Sequence, residues 1–300
     1  YYTDPEIIRS IYLHLEKQGF KGGRILDPAM GTGNFFSAMP ADLRDNSQLY
    51  GVELDSLSGA IAKQLHPDTD VKVQGFETTA YNDKSFDLVI GNVPFADFSI
   101  MDDKYGKPYA IHDYFFKKSM DLVRDGGVVA FITSTWTMNK KSTQFRNELN
   151  GIASFVGGVR LPNDAFKHIA GTDVATDILF FKKGEYAHTI DNWIDTAPIP
   201  NPSGGVLEGV VSNDYFTDLD KVAGQYITKN FHGKTLSVAP FDKPLIKQVD
   251  KILDNQSFTF DSDLSSYDVS VEDETSSSRL DIATFPEEVL NLEPQSHIIV

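Results

Sequence analysis

The residues with the most chemical content stand where short apolar runs end. Phe86-Asp87-Leu88-Val89-Ile90-Gly91 leads into Asn92-Val93-Pro94-Phe95, a turn that offers the side-chain oxygen of Asn92, the carbonyl of Val93 and the ring of Phe95. An amine conjugated to an aromatic ring is a poor nucleophile because its lone pair is delocalised. Two acceptors that take its two hydrogens favour a pyramidal nitrogen whose lone pair can be aimed at an electrophile. Asn92 is neutral, so its task in such chemistry is positioning rather than proton removal, and the set needs no metal.

A second constellation lies upstream, at Ile25-Leu26-Asp27-Pro28-Ala29-Met30-Gly31-Thr32-Gly33-Asn34-Phe35. Here a strand signal runs into a glycine turn and then a helix, and Gly31 and Gly33 are read as letting a ligand approach the backbone at the carboxyl edge of a sheet. A dinucleotide loop needs a third glycine where this chain has Phe36, and a phosphate loop needs a Lys that does not follow Gly33. Two further acids end the next strands. Glu53, in Gly51-Val52-Glu53, stands where a carboxylate takes two ribose hydroxyls, and Gly75-Phe76-Glu77 offers a ring and an acceptor to an adenine. Any one of these reads more simply as a turn glycine or a solubilising acid. Three at successive strand ends favour a ligand.

The elements that must position these residues are legible over the first 184 positions, where helical and strand signals alternate as in a parallel sheet flanked by helices. Asp4 to Lys17 carries Ile7, Ile8, Ile11, Tyr12 and Leu15 on one helical face, with Thr3 or Asp4 as cap. Strands are predicted at Arg24–Asp27, Leu49–Val52, Val71–Val73, Phe86–Ile90 and Gly127–Thr133. Helices are predicted near Phe35–Leu43, Ser56–Leu65, His112–Val123 and Lys141–Leu149. Two late strands, Ala153–Val159 and Val174–Lys182, are joined without room for a crossover helix and so form an antiparallel pair. Beyond Gly184 the cluster Pro198, Pro200, Pro202, Gly204, Gly205 is read as a linker. Amphipathic stretches follow at Asp214–Lys229 and Lys243–Asp254, then a Ser/Asp-rich stretch expected to be partly mobile after 255 and removable without loss of folding.

Composition narrows the class. With 41% hydrophobic residues the 300-residue chain is globular, and its net charge of −16 argues against strong autonomous binding to nucleic acid. The acid is unevenly placed: residues 1–184 carry 20 Lys and Arg against 23 Asp and Glu, and residues 185–300 carry 7 against 20 with no cationic cluster evident. Apolar runs are too short to cross a bilayer, and the absence of cysteine removes disulfides and thiolate metal sites, so the cytoplasm is the expected compartment. The seven His are scattered and no metal site is expected; His112 beside Asp113 is assigned no chemistry. A chain that opens on Tyr1 and closes on Ile298, Ile299 and Val300 is read as a piece of a larger protein.

With these motifs in place, the Asn92-Val93-Pro94-Phe95 turn closely resembles the Asp/Asn-Pro-Pro-aromatic signature of S-adenosylmethionine-dependent DNA adenine amino-methyltransferases. The order of opening helix, cofactor loop and catalytic turn resembles that family's gamma group. Ile111-His112-Asp113-Tyr114-Phe115-Phe116, Arg124-Asp125-Gly126-Gly127 and Arg160-Leu161-Pro162 with Ala170-Gly171-Thr172 resemble methylase modules of large phage and mobile-element proteins with helicase-like parts. The resemblance implies an α/β, Rossmann-like methyltransferase fold over 1–184, with a mostly parallel seven-stranded sheet and a late antiparallel hairpin. A less regular acidic extension over 185–300 would follow. It implies S-adenosylmethionine held by Thr3, Asp27, Ala29, Gly31, Gly33, Glu53, Phe76, Glu77 and Asn92. Catalysis would fall to Asn92, Val93, Pro94 and Phe95, and a flipped base would lie between Phe95 and Phe166, each stack worth about 1–3 kcal/mol. Relatives mostly carry Pro where this chain has Val93, which puts the rigidity of the turn in question. DNA is the implied partner, gripped weakly without the parent's other segments. Methylation of a protein glutamine or an RNA guanine, and a non-catalytic module in a larger defence or anti-defence protein, stand as alternatives.

Overall fold

Strands whose successive side chains are buried on opposite sides need cover on both faces, and the chain supplies it. The structure, a computed structural model, describes residues 3–166, 175–184, 190–230 and 234–260. In chain order it holds α1 (Pro5–Lys17), β1 (Gly23–Asp27), α2 (Asn34–Ser37), α3 (Ala41–Asp45), β2 (Ser47–Glu53), α4 (Ser56–Leu65), β3 (Asp70–Val73) and β4 (Phe86–Asn92). Next come β5 (Ser99–Met101), β6 (Pro108–Ala110), α5 (Ile111–Leu122), β7 (Val123–Ser134), α6 (Trp136–Asn139), α7 (Gln144–Asn150), β8 (Ala153–Leu161) and β9 (Thr176–Lys183). The later elements are β10 (Thr196–Pro200), β11 (Val206–Asn213), β12 (Gln225–Asn230), β13 (Lys234–Ala239) and α8 (Leu245–Asp254).

The central sheet has the order β3-β2-β1-β4-β7-β9-β8. Pairs from β3 to β7 are parallel, and β9 runs antiparallel to both β7 and β8. This is the seven-stranded, mostly parallel α/β sheet with a late antiparallel pair that the sequence predicts. Alternation along each strand sorts the core into two layers. Ile25, Leu88, Ile90, Val128, Ala130 and Ile132 face α1, α2 and α3, whereas Leu26, Val89, Val129 and Phe131 face α5 and its aromatic neighbours. The Asp4 carboxylate accepts from the Glu6 N–H at 2.8 Å and caps α1, with Pro5 in the first turn.

Three departures from the sequence reading have local causes. The helix expected over Phe35–Leu43 breaks into α2 and α3 because Pro40 lacks an N–H and disfavours helical geometry at Met39; it stands instead as the residue preceding α3. The expected linker is the β10–β11 hairpin, with both Pro198 and Pro200 on a strand of a two-stranded sheet and positive φ at Gly204 and Gly205 closing the turn. Asp214–Lys229 is two short 3-10 turns followed by β12, while the second amphipathic stretch is the helix α8.

The compositional change near Lys183 falls within continuous packing. Trp193, 1% exposed, stacks against Phe155 and Phe181, and Phe258 and Phe260 pack beside α1 against His14 and Phe20. Thus the start of the stretch expected to be mobile after 255 is ordered by burial: Gln256, Phe258 and Phe260 are all buried, and the Phe258 N–H donates to Gln18 Oε1 at 2.8 Å. Residues 261–300 lie outside the described residues. Among the described residues no helix is long and apolar enough to cross a membrane.

Candidate active site

The expected ligand residues come from the carboxyl ends of β1, β2, β3 and β4, where the strand order turns back on itself around β1 and open α/β sheets bind ligands. A cleft of about 770 Å³ opens there. Thr3, Ala29, Gly31, Glu53, Phe76, Glu77, Asn92 and Pro94 line it.

Glu53 ties two of these ends together. One carboxylate oxygen accepts from the Gly31 N–H at 2.8 Å and the other from the Asp55 N–H at 2.8 Å. Each oxygen keeps a lone pair free, so the carboxylate can hold the loop and still accept from two hydroxyls. The Phe76-Glu77 turn is set by a residue that sequence reasoning missed: buried Lys118 of α5 donates to the carbonyls of Glu77 at 3.2 Å and Thr79 at 3.3 Å. Burial lowers its pKa.

The glycines do different work from each other. A Cβ on Gly31, at φ +57°, would meet nothing within 4 Å and would point into open space. Gly33 is a correction. It does not line the cleft, and a side chain there would collide with the His66 imidazole, so its bareness serves packing against the helix end rather than a ligand. His66 is in turn within 3.3 Å of Ser37 Oγ, and burial lowers its pKa. Asp27 likewise lies beneath the loop, 1% exposed, accepting from the Ala29 N–H at 3.1 Å. Burial, with the charge of Glu53 adding to it, raises its carboxyl to about 8.

At the end of β4, Asn92 Nδ2 donates to Thr3 Oγ1 at 3.1 Å. Its Oδ1 is buried and has no hydrogen-bond partner among the described residues. Such an orphan acceptor costs on the order of 1–3 kcal/mol unless something reaches it. Val93 is fully buried, and its N–H donates to the Ile132 carbonyl of β7 at 3.0 Å. Proline has no such hydrogen, so this bond supplies the restraint that a proline ring would otherwise give the turn. Phe95 is half-buried beside Pro94.

Phe166 is 6% exposed within the core layer that contains Ile7 and Val159, and it does not line the cleft. The loop match Ala170-Gly171-Thr172 lies outside the described residues. In contrast, Phe98, Ile100 and Met101 of the β5–β6 hairpin do line the cleft, with Phe98 54% exposed. Their sequence signal is the apolar–polar alternation Asp97-Phe98-Ser99-Ile100 after the Pro94 turn. The lining carries Glu53 and Glu77 and no Lys, Arg or His among the described residues. It therefore suits a cationic ligand. Among the described residues no three His, Asp or Glu gather at metal-ligand spacing.

Residues 46–155, which hold Glu53, the Phe76 turn and Asn92–Phe95, match the family model of the Eco57I restriction-modification methylase. This segment is similar to Eco57I-type methylases. The glycine loop precedes the matched methylase segment and meets it through the Gly31–Glu53 bond. The chain is 29% identical over 189 residues to the Defense against restriction protein B of Escherichia phage P1, covering 61% of this chain and 8% of that protein. It is 25% identical over 230 residues to the type I restriction enzyme EcoEI methylase subunit of Escherichia coli, covering 67% and 45%. It thus spans less than half the length of either relative. Among solved structures, a putative class I S-adenosylmethionine-dependent methyltransferase from Listeria monocytogenes superposes with a TM-score of 0.53 at 21% identity, over 64% of both chains. The fold around the matched segment is Rossmann-like, as in that structure.

Proposed function

We propose that this chain transfers a methyl group from S-adenosylmethionine to the exocyclic amine of an adenine turned out of DNA, with 1–184 as the catalytic part. The observation that carries the reading is the state of Asn92: its amide nitrogen is occupied by Thr3 and its buried oxygen is left without a partner at the cleft. That is what an amide needs if its oxygen is to take an amine hydrogen. The Val93 carbonyl takes the second, and the Val93 N–H bond to β7 keeps that carbonyl in place.

S-adenosylmethionine, when bound, supplies an electrophilic methyl on a sulfonium. The acidic lining, without a cation among the described residues, and the open space over Gly31 fit it. Glu53 would accept from the ribose hydroxyls, Gly31 and Ala29 would let the ligand lie against the backbone, and Phe76 and Glu77 would receive the adenine. Thr3 orients Asn92, and Asp27 shapes the loop from below. Phe95 would stack on the target base, and Phe98 is better placed than Phe166 to give it a second apolar face. DNA would be held weakly by this chain, with segments of a larger parent adding grip; the small share of the relatives that it spans supports that division.

The test is incorporation of tritiated methyl into DNA, protein and RNA offered separately. Label should enter adenine in DNA, and Asn92→Ala should lower the rate by roughly 100-fold or more while cofactor affinity by calorimetry stays within a factor of a few. A variant that methylates DNA at the parental rate would sink the mechanism, and label confined to protein or RNA would reassign the substrate.

A further inference from the structure

The catalytic cleft presents acids and, among the described residues, no cation, yet any protein that works on DNA must hold phosphates somewhere. A second groove of about 630 Å³ lies between α8 and the turn at Leu219–Lys221. Lys243, Lys247 and Lys251 line it, together with Phe241, Leu219 and Asp220. The three lysines recur every four residues: Lys247 and Lys251 stand about 6 Å apart on one side of α8, and Lys243 just precedes the helix. Val249 and Leu253 anchor the opposite side in the core. All three lysines are exposed, and none forms an ion pair with a described residue. Among the described lining residues Asp220 is the one acid, so they are net +2 on a chain of net −16. Phe241, 43% exposed, and Leu219 add an apolar floor.

The sequence reading placed no cationic cluster after residue 184, and the fold makes one. Three of the seven Lys and Arg in 185–300 meet in this groove. The acid of that region is also mostly elsewhere: residues 261–300 hold 10 Asp and Glu against 1 Arg, and residues 185–260 hold 10 against 6 Lys.

We infer that this groove binds the phosphodiester backbone of DNA, outside the catalytic cleft. Charge complementarity selects a polyanion, and unpaired lysines at a regular spacing over an aromatic suit a nucleic-acid strand. The choice of DNA over another polyanion rests on the proposed methylation of DNA; the groove's charge does not. Position is compatible. Thr3, beside Asn92, precedes α1, while Lys17 at its other end pairs with Asp254 at the end of α8. The 13 residues of α1 span about 20 Å, roughly six base-pair steps, so the two ends of α1 lie within one helical turn of a duplex.

The experiment is fluorescence anisotropy of the 300-residue chain with a labelled duplex, repeated from about 50 to 200 mM salt. Replacing Lys243, Lys247 and Lys251 together by Gln should weaken binding at least ten-fold at the low-salt end. It should also flatten the slope of log affinity against log salt by about 2 to 3, near 0.9 for each phosphate that is no longer neutralised. The triple Arg variant should retain both slope and affinity, and both variants should keep the parental melting temperature. An unchanged slope in the Gln variant, absence of DNA binding by the parent chain at low salt, or binding of a polyglutamate in preference to DNA would each overturn the assignment. Calorimetry with S-adenosylmethionine separates the two readings. Lysine-dependent DNA binding without cofactor binding leaves the groove standing and removes the methylation proposal, and cofactor binding with no lysine dependence does the reverse.

Discussion

Buried polar atoms that lack a partner mark where this chain gives up stability at single residues. Asn92 Oδ1 is one and Asp27 Oδ2 another. Asp27 lends itself to a pH test. Its carboxyl rises from an ordinary 3.8 to about 8, chiefly through burial, so the folded state keeps a proton that the unfolded state has lost across that window. Its contribution is fully present below about pH 4, falls by about 1.4 kcal/mol per pH unit up to about pH 8 and is flat above. Denaturant unfolding of wild type and Asp27→Asn from pH 5 to pH 7.5 should show the variant gaining on wild type at that slope. Parallel profiles would mean the carboxyl is not held protonated. At Val93 the expectation is that Val93→Pro destabilises by about 1–3 kcal/mol, because the Ile132 carbonyl loses its donor. A melting temperature equal to wild type would show that the ring replaces what the hydrogen bond gives. Glu53→Ala removes the acceptor of the Gly31 and Asp55 N–H groups, so weaker S-adenosylmethionine binding, by about 1–3 kcal/mol in calorimetry, should come with lower stability.

Among elements, the glycine turn and the end of α4 act as one unit. Gly33 has φ +93° and His66 fills the space where its Cβ would stand. Gly33→Ala should therefore destabilise on two counts, backbone strain of about 1 kcal/mol and a steric conflict. His66→Ala in the same chain should relieve the conflict and leave the strain. A double-mutant cycle by chemical denaturation checks this, since independent losses that simply add would separate Gly33 from His66. The β5–β6 hairpin is the other element with a consequence. It carries Phe98 and Met101 into the lining of the cleft, and Asp102 beside it accepts from Tyr114 Oη at 2.5 Å.

For the molecule as a whole, the chain after Gly184 also braces the core. The Arg160 guanidinium, fully buried, makes a two-pronged pair with Asp177 at 2.7 and 2.9 Å and also donates to Tyr226 Oη at 3.1 Å and Asn139 Oδ1 at 3.1 Å. These bonds join the sheet to α6 and β12. Removing everything after Gly184 would take Tyr226 from that network and expose the faces that Trp193 and Phe258 cover, so the shortened chain should lose its cooperative thermal transition. Cutting after Asp254 should also lower stability, contrary to the expectation from composition, because Phe258 and Phe260 would go. Cutting after Ser262, where the compact unit ends, should leave the melting temperature unchanged. Calorimetry of the three truncations orders them, and equal stability of the first and last would refute the packing argument.

How much was legible in the sequence followed from the range of the forces involved. Strand order apart, the parallel sheet could be read because burial on both faces writes near-continuous apolar runs, as in Leu88-Val89-Ile90 and Val128–Ile132. The places of Gly31, Glu53, Phe76 and Asn92 followed because such folds gather strand ends at one edge. Pairings between residues far apart in the chain left no periodic signal. Gly33 looked like a ligand glycine until His66 was seen against it, Phe166 like a base platform until the core closed over it, and Val93 like a loose turn until its N–H met Ile132. Scattered lysines in an acidic stretch became a cationic groove only when α8 and the residues leading into it brought three of them to one side. Composition counts charges, and it takes the tertiary structure to decide which of them face the same space.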